Sequence, residues 1–380
     1  MSECCGGKPC GGGGCGPDEV ESRYPDVTGP IDPSVWARSA TGTDQFSDYS
    51  KSSETTSDQA YTYAGAQLGA FAFPLGGFGA GHLVLRGDGT LQKWCVVNQI
   101  REESQPLDCM PGCFFGVSAG GQAYVLASPE TYTEERCALQ RNRPGRVASA
   151  SVKRLKALPG IKSLSVVARY PVANVAYEIP GFPVDVSMRA LSPMVPLDDQ
   201  ASALPCALFS FSLHNTSAAP QTVRLLQSQT NFVGWDGQAD CTATGGTPFW
   251  GGNVNTPFAD GTVAGLSMGS TAVPSSKAEH GTVAAAALPS SVGVAAAASL
   301  LPGEAGEEAL WKAFVAGGDV PAAQAAPTPP SANGATWCGG IVQSVTLQPG
   351  EGQCVRTQRT PQRTSPPSPL PFATSLAARL

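Results

Sequence analysis

Four cysteines lie within the first fifteen residues of the chain, and thiolates are side chains well suited to bind zinc and softer metal ions. They are Cys4, Cys5, Cys10 and Cys15. Four thiolates can complete one tetrahedral zinc site, so metal binding is one hypothesis for this segment. Their spacing is not that of a zinc-finger pair, which leaves two alternatives: S-acylation of exposed thiols, or a leader that binds nothing.

Two tryptophans, Trp235 and Trp250, lie in glycine-rich stretches that read GWDG and FWGGN. An indole ring on a loop can stack on the apolar face of a sugar ring, so both residues are candidate sugar contacts. The alternative interpretation is that each ring caps a hydrophobic core, because large aromatic side chains contribute most when they are buried. The sequence leaves both interpretations open.

The residue pattern offers little to nucleophilic or acid–base catalysis. The three histidines are His82, His214 and His280, and no Gly-x-Ser-x-Gly elbow occurs. The adjacent carboxylates are Glu102-Glu103, Asp198-Asp199 and Glu307-Glu308. Neighbours on a strand point to opposite faces, so none of these pairs can hold two carboxyls across one glycosidic bond. We therefore predict no catalytic residue and no cofactor for these 380 residues.

Composition excludes several classes of partner. Only 14% of the residues are charged, the net charge is −6, and Lys and Arg are dispersed, so we expect no nucleic-acid partner. No run of about 18 apolar residues occurs, which predicts no transmembrane segment. The chain start lacks the layout of a signal peptide, and the twelve cysteines are then most simply reduced thiols. Together these features favour a cytoplasmic location, with peripheral membrane association as an alternative.

A glycine cluster opens the part of the chain that must position any site. Residues 74–81 read PLGGFGAG, and an Asp88-Gly89 pair follows. Glycine at this density indicates left-handed backbone or a close approach by another group, and Asp-Gly between two strand-like runs predicts a hairpin. The spacing fits neither a dinucleotide fingerprint nor a P-loop. A turn that opens a strand pair is therefore favoured over a phosphate cradle.

From about Tyr61 onward, apolar and polar residues alternate in short runs. Residues 184–190, 207–213 and 341–347 each place apolar side chains on one face, which indicates half-buried strands. Residues 304–315 have helical spacing instead and predict one short amphipathic helix. The predicted fold class is all-β: a large two-sheet antiparallel β-sandwich with one short helix.

Composition also divides the chain into three segments. Residues 1–60 are rich in Gly and Cys, then in Ser, Thr and Asp, and predict a disordered leader. Residues 61–353 hold the strand pattern of the sandwich. Residues 354–380 are rich in Arg and Pro and predict an unstructured tail, because a sheet strand tolerates few prolines.

Several short motifs follow one another, over residues 65–352, in an order that resembles the N-terminal domain of glycoside hydrolase family 116. They lie at residues 74–81, 86–89, 111–116, 169–171, 191–196, 229–237, 251–255, 310–314 and 347–351. The family includes the non-lysosomal glucosylceramidases and bacterial β-glucosidases. The resemblance implies a sandwich that packs against a separate (α/α)6 barrel, which carries the glutamate nucleophile and the aspartate acid/base of a retaining glycosidase.

The resemblance stops near Glu351, and no barrel follows it. We therefore expect a non-catalytic domain of a β-glucosidase or glucosylceramidase. The catalytic barrel is missing from these residues, so the domain is expected to be inactive on its own. The tail from Cys354 would then come from a truncated or misread gene, or from a splice variant. The barrel and a β-glucoside are the expected partners. A free-standing carbohydrate-binding module is the alternative function.

Overall fold

The computed structural model describes the chain in ten ranges. They are residues 60–96, 112–128, 155, 157–235, 251–259, 263–277, 279–287, 294–300, 304–317 and 326–362. The chain divides into two units, Met1–Asp58 and Gln59–Leu380, and every described residue belongs to the second unit. Within these ranges the second unit is built from seventeen strands, two α-helices and one short 3-10 helix.

The strands are named β1 to β17 in chain order. They are β1 Tyr61–Ala64, β2 Ala72–Leu75, β3 His82–Arg86, β4 Leu91–Cys95, β5 Phe114–Ala119, β6 Gln122–Val125, β7 Ser163–Arg169, β8 Val172–Glu178 and β9 Val184–Leu191. The later ones are β10 Ala207–Asn215, β11 Gln221–Thr230, β12 Asn253–Ala259, β13 Ala264–Ser270, β14 Thr282–Ala287, β15 Val294–Leu300, β16 Cys338–Leu347 and β17 Gly352–Gln362. The helices are the 3-10 helix Gly65–Ala70, α1 Asp199–Ser202 and α2 Glu304–Val315.

The strands form three antiparallel sheets, of nine, five and three strands. The orders are β1-β7-β8-β9-β10-β17-β14-β13-β12, then β15-β16-β11-β5-β6, then β2-β3-β4. The predicted all-β sandwich is confirmed, while the third sheet was not predicted. It arises because the glycine cluster and the Asp-Gly turn keep β2, β3 and β4 pairing with one another, and their apolar side chains enter the main core.

The main core lies between the nine-stranded and five-stranded sheets. At its centre the ring of Phe115 on β5 packs edge-on against Phe209 and Phe211 on β10, with centroids 4.9 and 5.1 Å apart. Aromatic pairs prefer this geometry, which adds to the hydrophobic gain of burial. Alternation along each strand thus puts one face of each sheet into the core, as the period of two predicts.

Helix α2 covers the other face of the five-stranded sheet. Its Leu310, Trp311 and Phe314 are buried in a second cluster with Phe114 and Leu226. The spacing of three and four residues places these side chains on one side of the helix. This is the helix that the sequence predicts at residues 304–315, and it is the longest in the described part of the chain.

The predicted turn and hairpin are both present. Gly76, Gly79 and Gly81 have positive φ angles of 157°, 70° and 82°, in the loop between β2 and β3. The turn between β3 and β4 contains Gly89 at φ 83°, and Asp88 accepts hydrogen bonds there from the backbone and hydroxyl of Thr90 at 3.0 and 2.6 Å. Local chemistry therefore sets both connections, as the sequence indicated.

The predicted unstructured tail is wrong at its start. Residues 354–362 belong to β17, which pairs with β10 on one side and β14 on the other. This strand lies inside the nine-stranded sheet, so the sandwich extends past the predicted boundary at residue 353. Proline is compatible with the strand because the only one in it, Pro361, stands at its end, and the other prolines of the predicted tail come later.

Polar side chains on β17 bind the two large sheets together. The buried Arg359 guanidinium donates to the Gln229 side-chain oxygen, to the Ser228 carbonyl at 2.9 Å and to the Phe114 carbonyl at 3.3 Å. It also lies 4.8 Å from the centroid of the Phe115 ring. All four partners belong to β5 or β11 of the five-stranded sheet. One charged residue thus connects strands that face each other across the core.

Three further buried groups in the core are thiols. Burial raises the pKa of Cys113 from 9.0 to about 11, and raises the pKa of Cys206 and of Cys338 to about 12. Cys354 is exposed on the outer face of β17. The thiolate is the reactive form of cysteine. The three buried thiols are therefore protected from reagents both by their burial and by a raised pKa that keeps them protonated.

We expect a thiol reagent at pH 8 to modify Cys354 in the folded protein and to leave Cys113, Cys206 and Cys338 unmodified, as read by peptide mass spectrometry.

The same three buried thiols make the stability of the domain depend on pH. Above pH 9 they ionise in the unfolded chain but stay protonated in the folded one, so the free energy of unfolding falls as pH rises from 9 toward 11. The slope is up to about 1.4 kcal/mol per pH unit for each thiol. Equal stability at pH 8 and pH 10.5 would contradict this.

Candidate functional site

One end of the sandwich collects most of the motifs that the sequence analysis singled out. The pairing of neighbouring strands defines this end. It is where β7 and β9 end, and where β8, β10, β12 and β14 begin. The glycine loop at residues 76–81, the segment 192–204 and the segments 231–235 and 251–253 all lie at this end, which we call the loop end. Loops on a rigid scaffold commonly carry binding function, so the loop end is the candidate functional site.

A cluster of three buried asparagines fixes one part of the loop end. The Asn231 amide donates to the carbonyls of Val254 and Gly269 at 3.2 and 2.9 Å, and to the Asn255 side chain at 3.0 Å. Asn253 donates to the Asn231 side chain at 3.0 Å. All three side chains are fully buried. These hydrogen bonds join the segments around residues 231, 253 and 269, while the buried Nδ2 of Asn255 has no hydrogen-bond partner among the described residues.

Asn253 also links the segment 231–235 to the segment 251–253. Its amide also donates to the Val233 carbonyl at 2.8 Å, and its oxygen accepts from the Gly251 backbone at 3.1 Å. Residue 233 precedes the segment 236–250, and residue 251 follows it. The asparagines therefore bring both ends of that segment to one place.

We expect Asn253→Ala to lower the free energy of unfolding by about 2 kcal/mol, because it leaves buried groups of Asn231, Val233 and Gly251 without a partner. Urea unfolding of the full chain measures this. The matched control is Asn174→Ala, which removes a half-buried amide on the outer sheet face whose oxygen accepts from Arg189 at 3.2 Å. A change of under about 0.5 kcal/mol is expected there, and equal losses in both variants would contradict the assignment.

Of the two candidate sugar contacts, only Trp235 lies among the described residues. Trp235 is buried in the main core, 2% exposed, so the structure places its ring where the alternative interpretation put it, as a cap on the core. Trp250 lies outside the described residues, as do the candidate metal ligands Cys4, Cys5, Cys10 and Cys15. Among the residues that are described, no group of three or more metal-ligating side chains occurs.

Two serines interlock the loops of the loop end. The Ser192 hydroxyl accepts from the Gly76 backbone and donates to the Pro74 carbonyl, both at 3.2 Å. The backbone of Phe78 donates to the Ser202 carbonyl at 2.9 Å. A Cβ on Gly77 would lie 2.3 Å from the Leu204 carbonyl oxygen, so only glycine allows this approach. The loops are therefore held against one another by the Ser192 hydroxyl and by backbone contacts.

Five of the large apolar side chains that the structure exposes stand on these loops and on the turn between β7 and β8. They are Phe78, Tyr170, Met194, Val195 and Leu197, which we call the apolar platform. Phe78 is 59% exposed and Leu197 is fully exposed. Single exposed apolar residues are common on protein surfaces, whereas several on neighbouring loops mark an interaction site.

Leu197 is also strained. It stands in the turn Val195–Asp198, closed by a hydrogen bond of 3.0 Å from the Asp198 backbone to the Val195 carbonyl, and its φ is 65°. Pro196 comes second and Leu197 third, the arrangement of a type II turn with leucine where glycine or asparagine is usual. A left-handed leucine costs roughly 1 kcal/mol. Strain held at an exposed apolar residue points to a use for that side chain.

Sequence reasoning missed the platform. Residues 191–196 contribute to the family resemblance, and no sequence motif assigns a role to Leu197. The available signal was the run Pro196-Leu197-Asp198-Asp199, in which proline predicts the turn and the missing glycine predicts strain. The turn itself is held from seven positions further along the chain, where the Ser202 hydroxyl accepts from the Val195 N–H at 2.9 Å and donates to the Val195 carbonyl at 3.0 Å.

Comparison with known proteins gives one extended match. A family model described as beta-glucosidase 2, glycosyl-hydrolase family 116 N-term, matches residues 72–358. The match covers β2 through most of β17, and with them the loop end.

Solved structures are similar only at a distance. A chain from the human microbiome, named as a kojibiose phosphorylase, aligns over 57% of this chain and 21% of its own, at 9% identity and a TM-score of 0.29. A chain from Klebsiella pneumoniae, named as an aldose 1-epimerase, aligns over 57% of this chain and 56% of its own, at 11% identity and a TM-score of 0.21. This chain thus spans less than two thirds of either protein, and likeness at this level carries no argument. In the described ranges, no helix has the length and hydropathy needed to cross a bilayer.

Proposed function

Because this chain belongs to the glycosyl hydrolase family 116 N-terminal family, we propose that it is the non-catalytic sandwich of a β-glucosidase, working with a catalytic (α/α)6 barrel that is a separate domain. The reaction of the assembled enzyme would be retaining hydrolysis of β-glucosides, with glucosylceramide as one candidate substrate. The match over residues 72–358 carries the proposal, because it runs from the first hairpin to the strand β17.

The described residues favour a supporting role over a chemical one. Retaining hydrolysis needs two carboxyls about 5 Å apart that flank one bond. Asp198 caps helix α1 by accepting from the Ala201 backbone at 2.8 Å, and Glu308 pairs with Lys312 at 2.6 Å on the surface of α2. Asp198 and Glu308, one carboxylate from each of two adjacent acidic pairs, thus each have a structural partner.

Assembly and activity test the proposal together. The full chain is produced alone and co-expressed with the catalytic domain of a family 116 β-glucosidase, and release of 4-nitrophenol from an aryl β-glucoside is measured. We expect a complex that hydrolyses the substrate and no hydrolysis by the chain alone. Hydrolysis by the chain alone would overturn the non-catalytic role. Failure to form a complex would overturn the partner.

A further inference from the structure

We propose that the outer face of the nine-stranded sheet carries a site for a small thiol with carboxylate groups, which Cys354 takes up as a mixed disulfide. Arg189 and Arg356, which we call the arginine pair, hold the carboxylates of the attached group. The site lies on the neighbouring strands β9, β10 and β17. It goes beyond the proposed function, since it needs neither a sugar nor a catalytic domain.

The strand register brings the thiol and the arginine pair onto one patch. Ser210 on β10 lies directly opposite Arg189 on β9 and directly opposite Arg356 on β17. Residues directly opposite in an antiparallel pair share a face, with Cβ atoms about 5 Å apart, so the two arginines flank Ser210. Cys354 stands two residues before Arg356 and therefore points to the same face. Its Sγ lies 2.9 Å from the Ser210 hydroxyl.

The thiol is accessible from solvent. Among the cysteines that the structure describes, only Cys354 is exposed, whereas Cys95 is half-buried and the others are buried. The residues next to Cys354 across β10 and β9 are the short Ser212 and Ser187. Short side chains leave room above the sheet for an attached group. Reactive cysteines typically combine such access with electropositive surroundings.

The surroundings of Cys354 are electropositive. On the described strands, none of the residues directly opposite or diagonal to the arginine pair is acidic. Arg356 is exposed, and Arg189 is held in place by donating to the Asn174 side chain at 3.2 Å. Partial burial lowers the pKa of Arg189, and the nearby charge of Arg356 lowers it further, so the two guanidinium groups repel each other. A carboxylate bound between them offsets this repulsion.

The carboxylates of the surrounding strands face other groups. Glu178 on β8 pairs with Lys162 at 2.6 Å. Glu351 accepts from a backbone N–H of its own turn at 2.8 Å. Asp185 lies opposite His214, about 13 Å along β9 from the arginine pair. None of the three therefore neutralises the patch at Cys354.

The chemical step is thiol–disulfide exchange with a low-molecular-mass disulfide. The Cys354 thiol gives its proton to water, and the thiolate attacks one sulfur of the small disulfide. A bond forms between Sγ and that sulfur, the original S–S bond breaks, and the second sulfur leaves as a thiolate with the electron pair. Cys354 is oxidised while the departing half of the disulfide is reduced. An excess of the small thiol reverses the step.

Three disulfides that differ in charge test the site on the full chain. They are glutathione disulfide, which is anionic, 2-hydroxyethyl disulfide, which is neutral, and cystamine, which is cationic. Each is applied at pH 8 and about 10 mM salt, where the screening length is about 30 Å. The rate of modification at Cys354 is read by peptide mass spectrometry. Each variant's rate is divided by the wild-type rate with the same disulfide, so differences in reactivity among the disulfides cancel.

The variants Arg356→Met and Arg189→Met each remove one charge of the arginine pair. The control is Lys312→Met, which removes an exposed positive charge from α2, on the five-stranded sheet. We expect each arginine variant to slow glutathione disulfide at least about fivefold relative to the neutral disulfide, and to speed cystamine. The control changes each rate by less than about twofold. At about 1 M salt, where the screening length is about 3 Å, the preference for the anionic disulfide disappears.

Two outcomes would overturn the inference. If the arginine variants slow all three disulfides equally, the arginines act on the thiol alone and hold no carboxylate. If glutathione disulfide leaves Cys354 of the wild-type chain unmodified, the site does not exist. Thermal unfolding of each variant verifies that the sheet is intact, and Arg356→Met decides the question if Arg189→Met unfolds. Every measurement uses the chain alone, so a failure here leaves the proposed function untouched.

Discussion

A chain that ends at Gln353 will not form the sandwich, because it lacks all but two residues of β17. That strand pairs with β10 from Ala207 to His214 and with β14 from Thr282 to Ala287. Its removal takes both ladders from the interior of the nine-stranded sheet and separates β14, β13 and β12 from the rest. The lost hydrogen bonds and buried surface exceed the roughly 5–15 kcal/mol that stabilises a typical domain.

Circular dichroism and limited proteolysis measure this outcome. The matched control ends at Gln362 and retains every strand described. We expect a cooperative thermal transition for the control and none for the shorter chain, which is cleaved rapidly throughout. Similar transitions in both would show that β17 is dispensable. Such a result would restore the sequence-based hypothesis that the segment from Cys354 is foreign to the domain.

Arg359→Met is expected to lower the free energy of unfolding by about 3–5 kcal/mol. The change removes the donors for the Gln229 side chain and for the carbonyls of Ser228 and Phe114, all in the core. Methionine fills much of the volume, so the loss reports the missing hydrogen bonds rather than a large cavity. Urea unfolding at pH 7 gives the value from the midpoint and the slope.

Arg356→Met on the same strand is the matched control. Arg356 points to the exposed outer face of the sheet, three residues before Arg359, and its backbone carbonyl, which the substitution leaves in place, accepts from Gln343 at 3.3 Å. A change of under about 0.5 kcal/mol is expected. Comparable losses in the two variants would mean that the chemistry of buried Arg359 is not what connects the sheets.

The sequence predicts connections set by local chemistry and misses those set by contacts across the fold. The loop after β2 and the turn at Asp88 follow from glycine and from an Asx turn, so short-range reasoning finds them. Short-range reasoning does not find strand β17, because two of its core-facing residues, Thr357 and Arg359, are polar and interrupt the apolar alternation. Their burial depends on Gln227 and Gln229, about 130 residues earlier in the chain.

The same distinction between local pattern and distant contacts applies to the candidate functional residues. The sequence around Trp235 is compatible with a sugar contact and with a core cap, and the burial of its ring in the main cluster is visible only in the folded chain. The platform stands on loops that are joined by hydrogen bonds between residues distant in sequence. The link between Ser192 and Gly76 spans 116 positions. No local pattern predicts such a contact.

The position of β17 also determines when this domain can fold during its synthesis. Ser210 on β10 and its neighbour Cys354 on β17 are separated by 144 positions, so the ribosome must deliver β17 before the central ladder can close. Until then β10 and β14 present open edges, which other chains can pair with. Contacts this distant in sequence slow folding and prolong that exposure. The nascent chain is therefore expected to need a chaperone until residue 362 has left the exit tunnel.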